Sequence, residues 1–533
     1  MSAARISKRS TIGVIDIFAG PGGLGEGFSS FELAPNTGQH PFELAVSAEM
    51  EPSAHATLRL RAFYRLLLRN EGNVPVEYRN FLQMVAEGTS VSAAEFFGSG
   101  RRKPLWREAE QEALNLTLGE EAHNKALFDR IGSVHKNYDE MILIGGPPCQ
   151  AYSLVGRARQ RNVKDFLVKG DPRHFLYKQY LAILAKFKPA IFIMENVKGI
   201  LTSKVGDREM FSAIRNDLSD PSGALGLRRS GGASDRYVLL PIHVPEGVER
   251  TAELVLNNPS GFVIRCENHG VPQARHRVII MGVREDYAKT CVAHIPGLQV
   301  PNAKSSIDQA LDGLPELRSG MSREPDDSDR WFKAMKEERQ RVIEAIKHRW
   351  PDVAAMLKAM HPKSKLPRSS TRYESRRPGF LASALRGTNQ VVLNHETRGH
   401  MKSDLGRYMF CAAFARAEGR SPTSADFPLK LAPDHKNWKS GEFADRFRVQ
   451  ICGEPSSTIT SHLSKDGHAF VHWDPAQCRS FTVREAARLQ TFPDDYFFMG
   501  NRTQQFVQVG NAVPPMVARQ IARVVYQVLS ERQ

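Results

Sequence analysis

The sequence predicts an α/β protein: an open, parallel sheet with a ligand site at the carboxyl ends of its strands, followed by a second, smaller domain. Three observations lead there. Short apolar runs alternate with longer amphipathic stretches through the first third of the chain, the pattern of strand and crossover helix repeated. Two of those runs stop abruptly at Ala19-Gly20-Pro21-Gly22-Gly23 and Gly145-Gly146-Pro147-Pro148, which puts tight turns where open sheets bind ligands. From Arg284 onward the pattern changes to longer loops with scattered prolines and four of the five tryptophans, so a second domain begins there.

Each element follows from local pattern. Thr11–Phe18, Phe42–Ala48, Met141–Ile144 and Ala190–Met194 are apolar runs of strand length. Ser53–Asn70 spaces Leu58, Ala62, Phe63, Leu66 and Leu67 along one helical face. The chain between Glu49 and Met141 is longer than one crossover needs, so inserted helices are expected over about residues 53–130. Val278–Met281 reads as a further strand, and Met516–Leu529 as a closing helix. Thr482 is placed as an N-cap, with Arg484 and Glu485 behind it expected to form a structural ion pair. No internal repeat and no long low-complexity tract is present.

Composition narrows the function. A length of 533 residues leaves room for several domains. The 73 Lys+Arg against 58 Asp+Glu give a net charge of +15, which favours a polyanionic partner, nucleic acid first. No apolar run approaches the ~18 residues of a bilayer span, and Ile12–Phe18 carries Asp16, so neither a membrane span nor a secretory signal is expected. The six cysteines lie at least 25 positions apart with no CxxC pair, which argues against a disulfide framework or a zinc ribbon and for reduced thiols in a cytosol. His361–Arg377 holds six Lys/Arg against Glu374 alone and reads as an exposed basic loop, either on a phosphate backbone or simply solvated.

The chemistry sits at the strand ends. Gly20-Pro21-Gly22-Gly23-Leu24-Gly25 contains G-x-G-x-x-G after a strand, which lets backbone approach a ligand. Glu49, ending the next strand, is a carboxylate suited to ribose hydroxyls, as found in nicotinamide cofactors and in S-adenosylmethionine alike. Cys149 follows two prolines just past a strand, a position that presents a thiolate to a cleft; a structural cysteine more often lies inside an element. Met194-Glu195-Asn196-Val197 and Gln273-Ala274-Arg275-His276-Arg277 add an acid and cations.

Seven segments, Asp16–Gly23, Gly145–Gln150, Asp171–Tyr177, Glu195–Val197, Gln273–Arg277, Arg479–Asp494 and Gln508–Pro515, stand in the order found in the C5-cytosine DNA methyltransferases. The sequence resembles that family, in its prokaryotic restriction-modification or defence form, over about residues 11–283 and 475–533. The resemblance implies a Rossmann-like S-adenosylmethionine-dependent methyltransferase domain, residues 1–283 plus 504–533, and a target-recognition domain, residues 284–503. It implies that Cys149 adds to cytosine C6, that Glu195 protonates or hydrogen-bonds N3, and that Arg277, supported by Arg275, contacts O2. S-adenosylmethionine would be held by Phe18, Gly20, Gly22, Glu49, Met50, Pro147, Leu176, Asn511 and Val513, so the last helix should pack on the first domain. The base must leave the duplex to be reached. Arg157, Arg159 and Arg161 in the segment after Cys149, and Lys363, Lys365 and Arg368 in the basic loop, are the expected phosphate contacts.

The partner implied is duplex DNA, with no membrane, in a cytoplasmic, nucleoid-associated setting where a cognate restriction endonuclease or defence-system proteins act beside it. The residue for the adenine amino group has no firm match; Asp129 suits on spacing alone. His395, His400, His468 and His472 lack carboxylate or cysteine partners at ligand spacing, so no metal is expected. Three alternatives stay open: a transfer-RNA cytosine methyltransferase on the same scaffold, a nucleotide-binding dehydrogenase, which leaves Cys149, Glu195 and Arg277 without a role, and a catalytically silent DNA-binding regulator.

Overall fold

The computed structural model describes residues 11–35, 37–148, 173–202, 204–205, 208–228, 235–243, 259–291, 297–374, 378–434, 438 and 446–531. Its centre is strand β1 (Ile12–Ile17), buried along its whole length and therefore apolar on both faces apart from Asp16. It pairs in parallel with β2 (Phe42–Glu49) on one side and with β4 (Glu140–Gly145) on the other. β3 (Ala113–Asn115) extends the sheet beyond β2, and β5 (Ile191–Val197) extends it beyond β4, both in parallel. The far edge departs from the parallel sheet expected from the sequence. There β6 (Tyr237–Leu240) and β7 (Val263–Arg265) both pair antiparallel with β8 (His276–Arg284), which itself runs antiparallel to β5. The reason is local: β7 reaches β8 without a crossover helix, and a short connection returns the chain in the opposite direction.

The order β3-β2-β1-β4-β5-β8-β6 reverses between β1 and β4. In open sheets that reversal opens a crevice at the strands' carboxyl ends. Helices α1 (Gly23–Ser29) and, from the far end of the chain, Pro515–Ser530 cover one face, packing Phe28, Ile521 and Val525 on Val14, Ile142 and Ile193. The other face is covered by Glu121–Val134 and Arg173–Phe187, which bury Ile131, Leu181 and Leu184 against Ile15, Val46 and Phe192.

Between β2 and β3 stand α2 (Pro52–Glu71), α3 (Val76–Ala86), α4 (Ala93–Phe97) and α5 (Lys103–Glu112), gathered around Phe63, Tyr78, Phe97 and Trp106. The chain rejoins the sheet at Ala113, so the inserted helices close there; Leu127, within the span expected for the insertion, belongs with Ile131 to the sheet's own cover. Beyond β8, helices Ser328–Ile346, Pro351–Ala359 and Lys402–Glu418 build a separate core on Trp331, Met335, Tyr408 and Phe414. The longer loops expected there are thus partly helix.

The segment linking this core to the first domain is held by buried arginines. Thr482 caps helix Val483–Leu489 in a reciprocal box with Glu485. Arg484 and Glu485 do not pair with one another as expected, because adjacent helical residues point about 100° apart. Glu485 accepts two bonds of 2.7 Å from Arg479, while Arg484 donates to the carbonyls of Leu393, Pro493 and Tyr496. Arg488 forks onto Asp494 at 2.9 and 2.6 Å, and Tyr373 donates to the same carboxylate at 2.7 Å. Asp494→Ala leaves Arg488 buried and uncompensated. It is expected to cost about 3–5 kcal/mol in urea unfolding, against about 1–2 kcal/mol for Tyr373→Phe, which removes the bond to Asp494 and the one accepted from Asn389 but strands no charge.

Candidate active site

The glycine-rich turn after β1 needs three left-handed positions in five residues: Phe18 at φ 56°, Gly20 at 58° and Gly22 at 95°. Gly22 is also the N-cap of α1. The requirement at Gly23 is contact: a Cβ there would lie 2.1 Å from the carbonyl oxygen of Val513. The turn is pinned from outside by Tyr496, whose hydroxyl donates to the carbonyl of Pro21. Behind Tyr496, Arg61 of α2 bridges Glu26 of α1 (2.6 and 2.9 Å) and Asp495 (3.1 Å), so the inserted helices, α1 and the late segment share one buried charge cluster.

Glu49, at the end of β2, accepts from the amides of Gly20 and Glu51, each at 2.8 Å; burial raises its carboxyl above the ordinary range against those two bonds. Asp16 lies beside Ser47 in the sheet register, and neither side chain has a hydrogen-bond partner among the described residues. Burial pushes the Asp16 carboxyl up to about 8, with Arg65 opposing.

On the other side of the crevice, β4 runs into Gly146, where a Cβ would lie 2.8 Å from Oε2 of Glu195. Asn196 donates to the carbonyl of Pro147 at 3.1 Å and so ties the end of β5 to the proline turn. Glu195 Oε1 meets Arg277 Nε at 2.8 Å, both side chains largely buried. The antiparallel register sets this pair: Arg277 lies opposite Val197, and Glu195 two residues away lies opposite Ile279, a diagonal on one face. Arg275 goes elsewhere. Wholly buried, it donates to the carbonyls of Ile459 (2.7 Å) and Gly510 (3.1 Å), fastening the late segment to β8's approach.

One cavity of about 980 Å³ joins both halves of the crevice. Phe18, Gly20, Glu49, Met50, Pro147, Leu176, Asn511 and Val513 line it, together with Glu195 and Asp16, whereas Gly22 stays behind the turn. Leu116 and Leu118, just after β3, line it too and escaped the sequence reading, since a strand of three residues behind an insertion carries no readable pattern. Asp129 is not in the cavity; it pairs with Lys125 at 2.6 Å on the outer face of Glu121–Val134, because its helix turns the apolar Leu127 and Ile131 inward.

Cys149, Arg157, Arg159 and Arg161 lie outside the described residues. Lys363 is exposed and paired with Glu316 at 2.6 Å, and Lys365 is exposed. Arg368 is half-buried, bonded to Glu396 at 3.1 Å and to the carbonyl of Thr397 at 3.2 Å. The four histidines serve packing and hydrogen bonds: His395 meets Thr482 Oγ1 at 2.8 Å, His400 and His468 flank the Tyr408 hydroxyl, and His472 stacks on Trp473. Among the described residues no group of three metal-ligating side chains occurs.

The cavity fits a nucleoside with a cationic tail. The turn leaves no room for a Cβ at Gly23, Glu49 offers a ribose carboxylate, Met50 is 57% exposed above it, and Asp16 supplies an unpartnered buried acid. Sheet order, crevice and turn together define an α/β fold of the Rossmann-like, S-adenosylmethionine-dependent methyltransferase class.

The family model for C-5 cytosine-specific DNA methylase matches residues 121–221 and 260–527, and the chain belongs to that family. It is 30% identical to the type II methyltransferase M.Bpa9945I of Bacillus paralicheniformis, over 97% of this chain and 99% of that one. It is 24% identical to M.DdeI of Desulfomicrobium norvegicum, over 71% of each. A DNA modification methyltransferase encoded within an E. coli prophage shares the fold, with a TM-score of 0.51 at 18% identity, over 98% of this chain and 100% of that one. The protein is therefore an enzyme, a DNA cytosine-C5 methyltransferase, with S-adenosylmethionine as methyl donor.

Asp16 makes a pH signature. In the unliganded fold its carboxyl keeps its proton to about pH 8, whereas an unfolded aspartate loses it near 3.9. Between those values the folded state binds more protons, so this group's contribution to stability falls as pH rises. Asp16→Asn is expected to lose less stability than the wild type between pH 5 and pH 8, read by chemical denaturation without cofactor.

Proposed function

We propose that this enzyme methylates cytosine at C5 in a specific duplex DNA sequence through a covalent bond from Cys149 to C6 of an extruded base. The observation that carries the reading is the Glu195–Arg277 pair at 2.8 Å, beside the proline turn that leads into Cys149 and opening on the cavity of the glycine-rich turn. C5 of cytosine is a weak nucleophile, and addition of a thiolate at C6 converts it to an enamine carbon. Glu195 protonates or hydrogen-bonds N3 as charge develops on the ring, and Arg277 both orients that carboxyl and binds O2. S-adenosylmethionine, when bound, supplies an electrophilic methyl group. Loss of the C5 proton then expels the Cys149 thiolate. Because C5 and C6 cannot enter such a cavity while the base is stacked, extrusion at a cost of a few kcal/mol is part of the reading.

Phe18, Gly20, Glu49, Met50, Pro147, Leu176, Asn511 and Val513 hold the cofactor, with Glu49 on the ribose; Gly22 shapes the turn behind them. Arg275 acts as a positioning residue, since its bond to Gly510 sets the neighbouring Asn511. Residues 1–283 with 504–533 form the catalytic domain and 284–503 the reader of sequence. The family match favours DNA over transfer RNA, and the type II names of the relatives support a restriction–modification setting with a cognate endonuclease. Arg157, Arg159, Arg161, Lys363, Lys365 and Arg368 are the phosphate contacts of this reading.

A duplex with 5-fluorocytosine at the target tests it, because fluorine cannot leave as a cation. A denaturation-resistant protein–DNA adduct should form only with S-adenosylmethionine, be absent in Cys149→Ser, and form far more slowly in Glu195→Gln. Methylation of ordinary DNA without a trapped adduct would overturn the covalent route.

A further inference from the structure

One wall of the cavity comes from the later part of the chain: Ser461, His462 and Lys465 line it alongside Glu195, Asn196 and Asn511. Ser461 and His462 stand in a single 3-10 turn, Ser461–Ser464, and Lys465 is the residue that caps it; the turn is fixed from three sides. A Cβ at Gly510 would lie 2.3 Å from the amide nitrogen of Ser461, so the turn rests directly on helix Arg502–Asn511. Arg275 bonds the carbonyls of Ile459 and Gly510 and so locks the two segments together. Arg398, stacked on Phe506, donates to the carbonyls of Leu463 (2.7 Å) and Lys465 (2.9 Å). Two arginines therefore spend their donors on holding a short turn whose own His462 and Lys465 side chains remain exposed.

The charge pattern says what such a turn is held for. The cavity lining carries four acidic residues, Glu49, Glu51, Glu195 and the Asp16 that burial keeps protonated to about pH 8, and Lys465 is its one lysine or arginine among the described residues. An acidic interior suits the positive end of a sulfonium cofactor. Lys465 lies instead at the exposed rim, with no ion pair among the described residues, where an entering nucleic-acid strand brings phosphates. Ser461 and His462 add a hydroxyl and an imidazole next to it.

We propose that Lys465, with Ser461 and His462, forms a phosphate clamp at the mouth of the cavity, holding the backbone of the nucleotide whose base enters. This rests on the reading that duplex DNA is bound over this crevice. The clamp makes the late turn a positioning element for the reaction: it fixes the backbone of the target nucleotide relative to Glu195 on the opposite domain.

The test uses full-length protein and the duplex whose methylated cytosine is located by bisulfite sequencing in cells expressing it. Lys465→Ala should lower the slope of log binding constant against log salt by about 0.9, the value of one duplex phosphate. It should raise the KM for DNA roughly tenfold, as loss of a charge-assisted contact does, and leave the affinity for S-adenosylmethionine unchanged. Lys465→Arg should restore the slope, which a merely structural role would not explain. An unchanged slope in Lys465→Ala, or weakened S-adenosylmethionine binding with the slope intact, would overturn the clamp while leaving methylation by the wild type in place. A wild type that methylates no cytosine would remove the proposed function and the clamp with it.

Discussion

The carbonyl of Val513 occupies the space a side chain at residue 23 would need. That close approach, between residues 490 positions apart, decides much of the rest. It requires glycine at the start of α1, brings Asn511 into the cavity beside Glu49, and places helix Pro515–Ser530 on the sheet, where its apolar face completes the cover over Val14 and Ile142. Everything between must leave the first domain and come back to this point. The inserted helices and the second domain are tied in at the same place, through Arg61 on Asp495 and Tyr496 on Pro21.

The return is specified by charge as well as shape. Arg479, Arg484 and Arg488 are almost wholly buried and donate in planar forks to carboxylates and backbone carbonyls. Lysine does not reproduce that geometry, because a single ammonium cannot serve two fixed acceptors in parallel. Removing one partner strands a buried charge, at a cost of several kcal/mol. Packings that separate these groups are penalised accordingly, and the segment that presents Tyr496 and Asn511 is left with one arrangement.

Much of this was legible in the sequence. The four parallel strands near the crevice matched their apolar runs to within three residues, and the turns ending them identified the site, because glycine and proline constrain backbone wherever they stand. The antiparallel edge was not legible. Strand direction depends on how the chain connects β7 to β8, and no residue of β8 reports it. Leu116 and Leu118 were hidden for a related reason: β3 has three residues, and its place is set by pairing with β2. Asp129 was chosen on spacing, yet a helix rotates its polar residues outward whatever their distance from a motif. Arg275 and Arg277 look alike in sequence, but Arg275 falls in the break between the short strand Gln273–Ala274 and β8 and sends its guanidinium to backbone carbonyls, whereas Arg277 lies inside β8 and meets Glu195.

The cover of the first sheet by a helix from the far end of the chain bears on how the protein is made. At about 5–20 residues per second, the ribosome takes roughly ten seconds to a minute to add the 230 residues between β8 and the last helix. During that interval the sheet's strands can pair, yet the face bearing Val14, Ile142 and Ile193 still awaits Ile521 and Val525. A nascent chain thus carries a partly uncovered apolar sheet face until Pro515–Ser530 has been made, a state in which chaperone binding competes with aggregation and a truncated transcript yields an unfinished core.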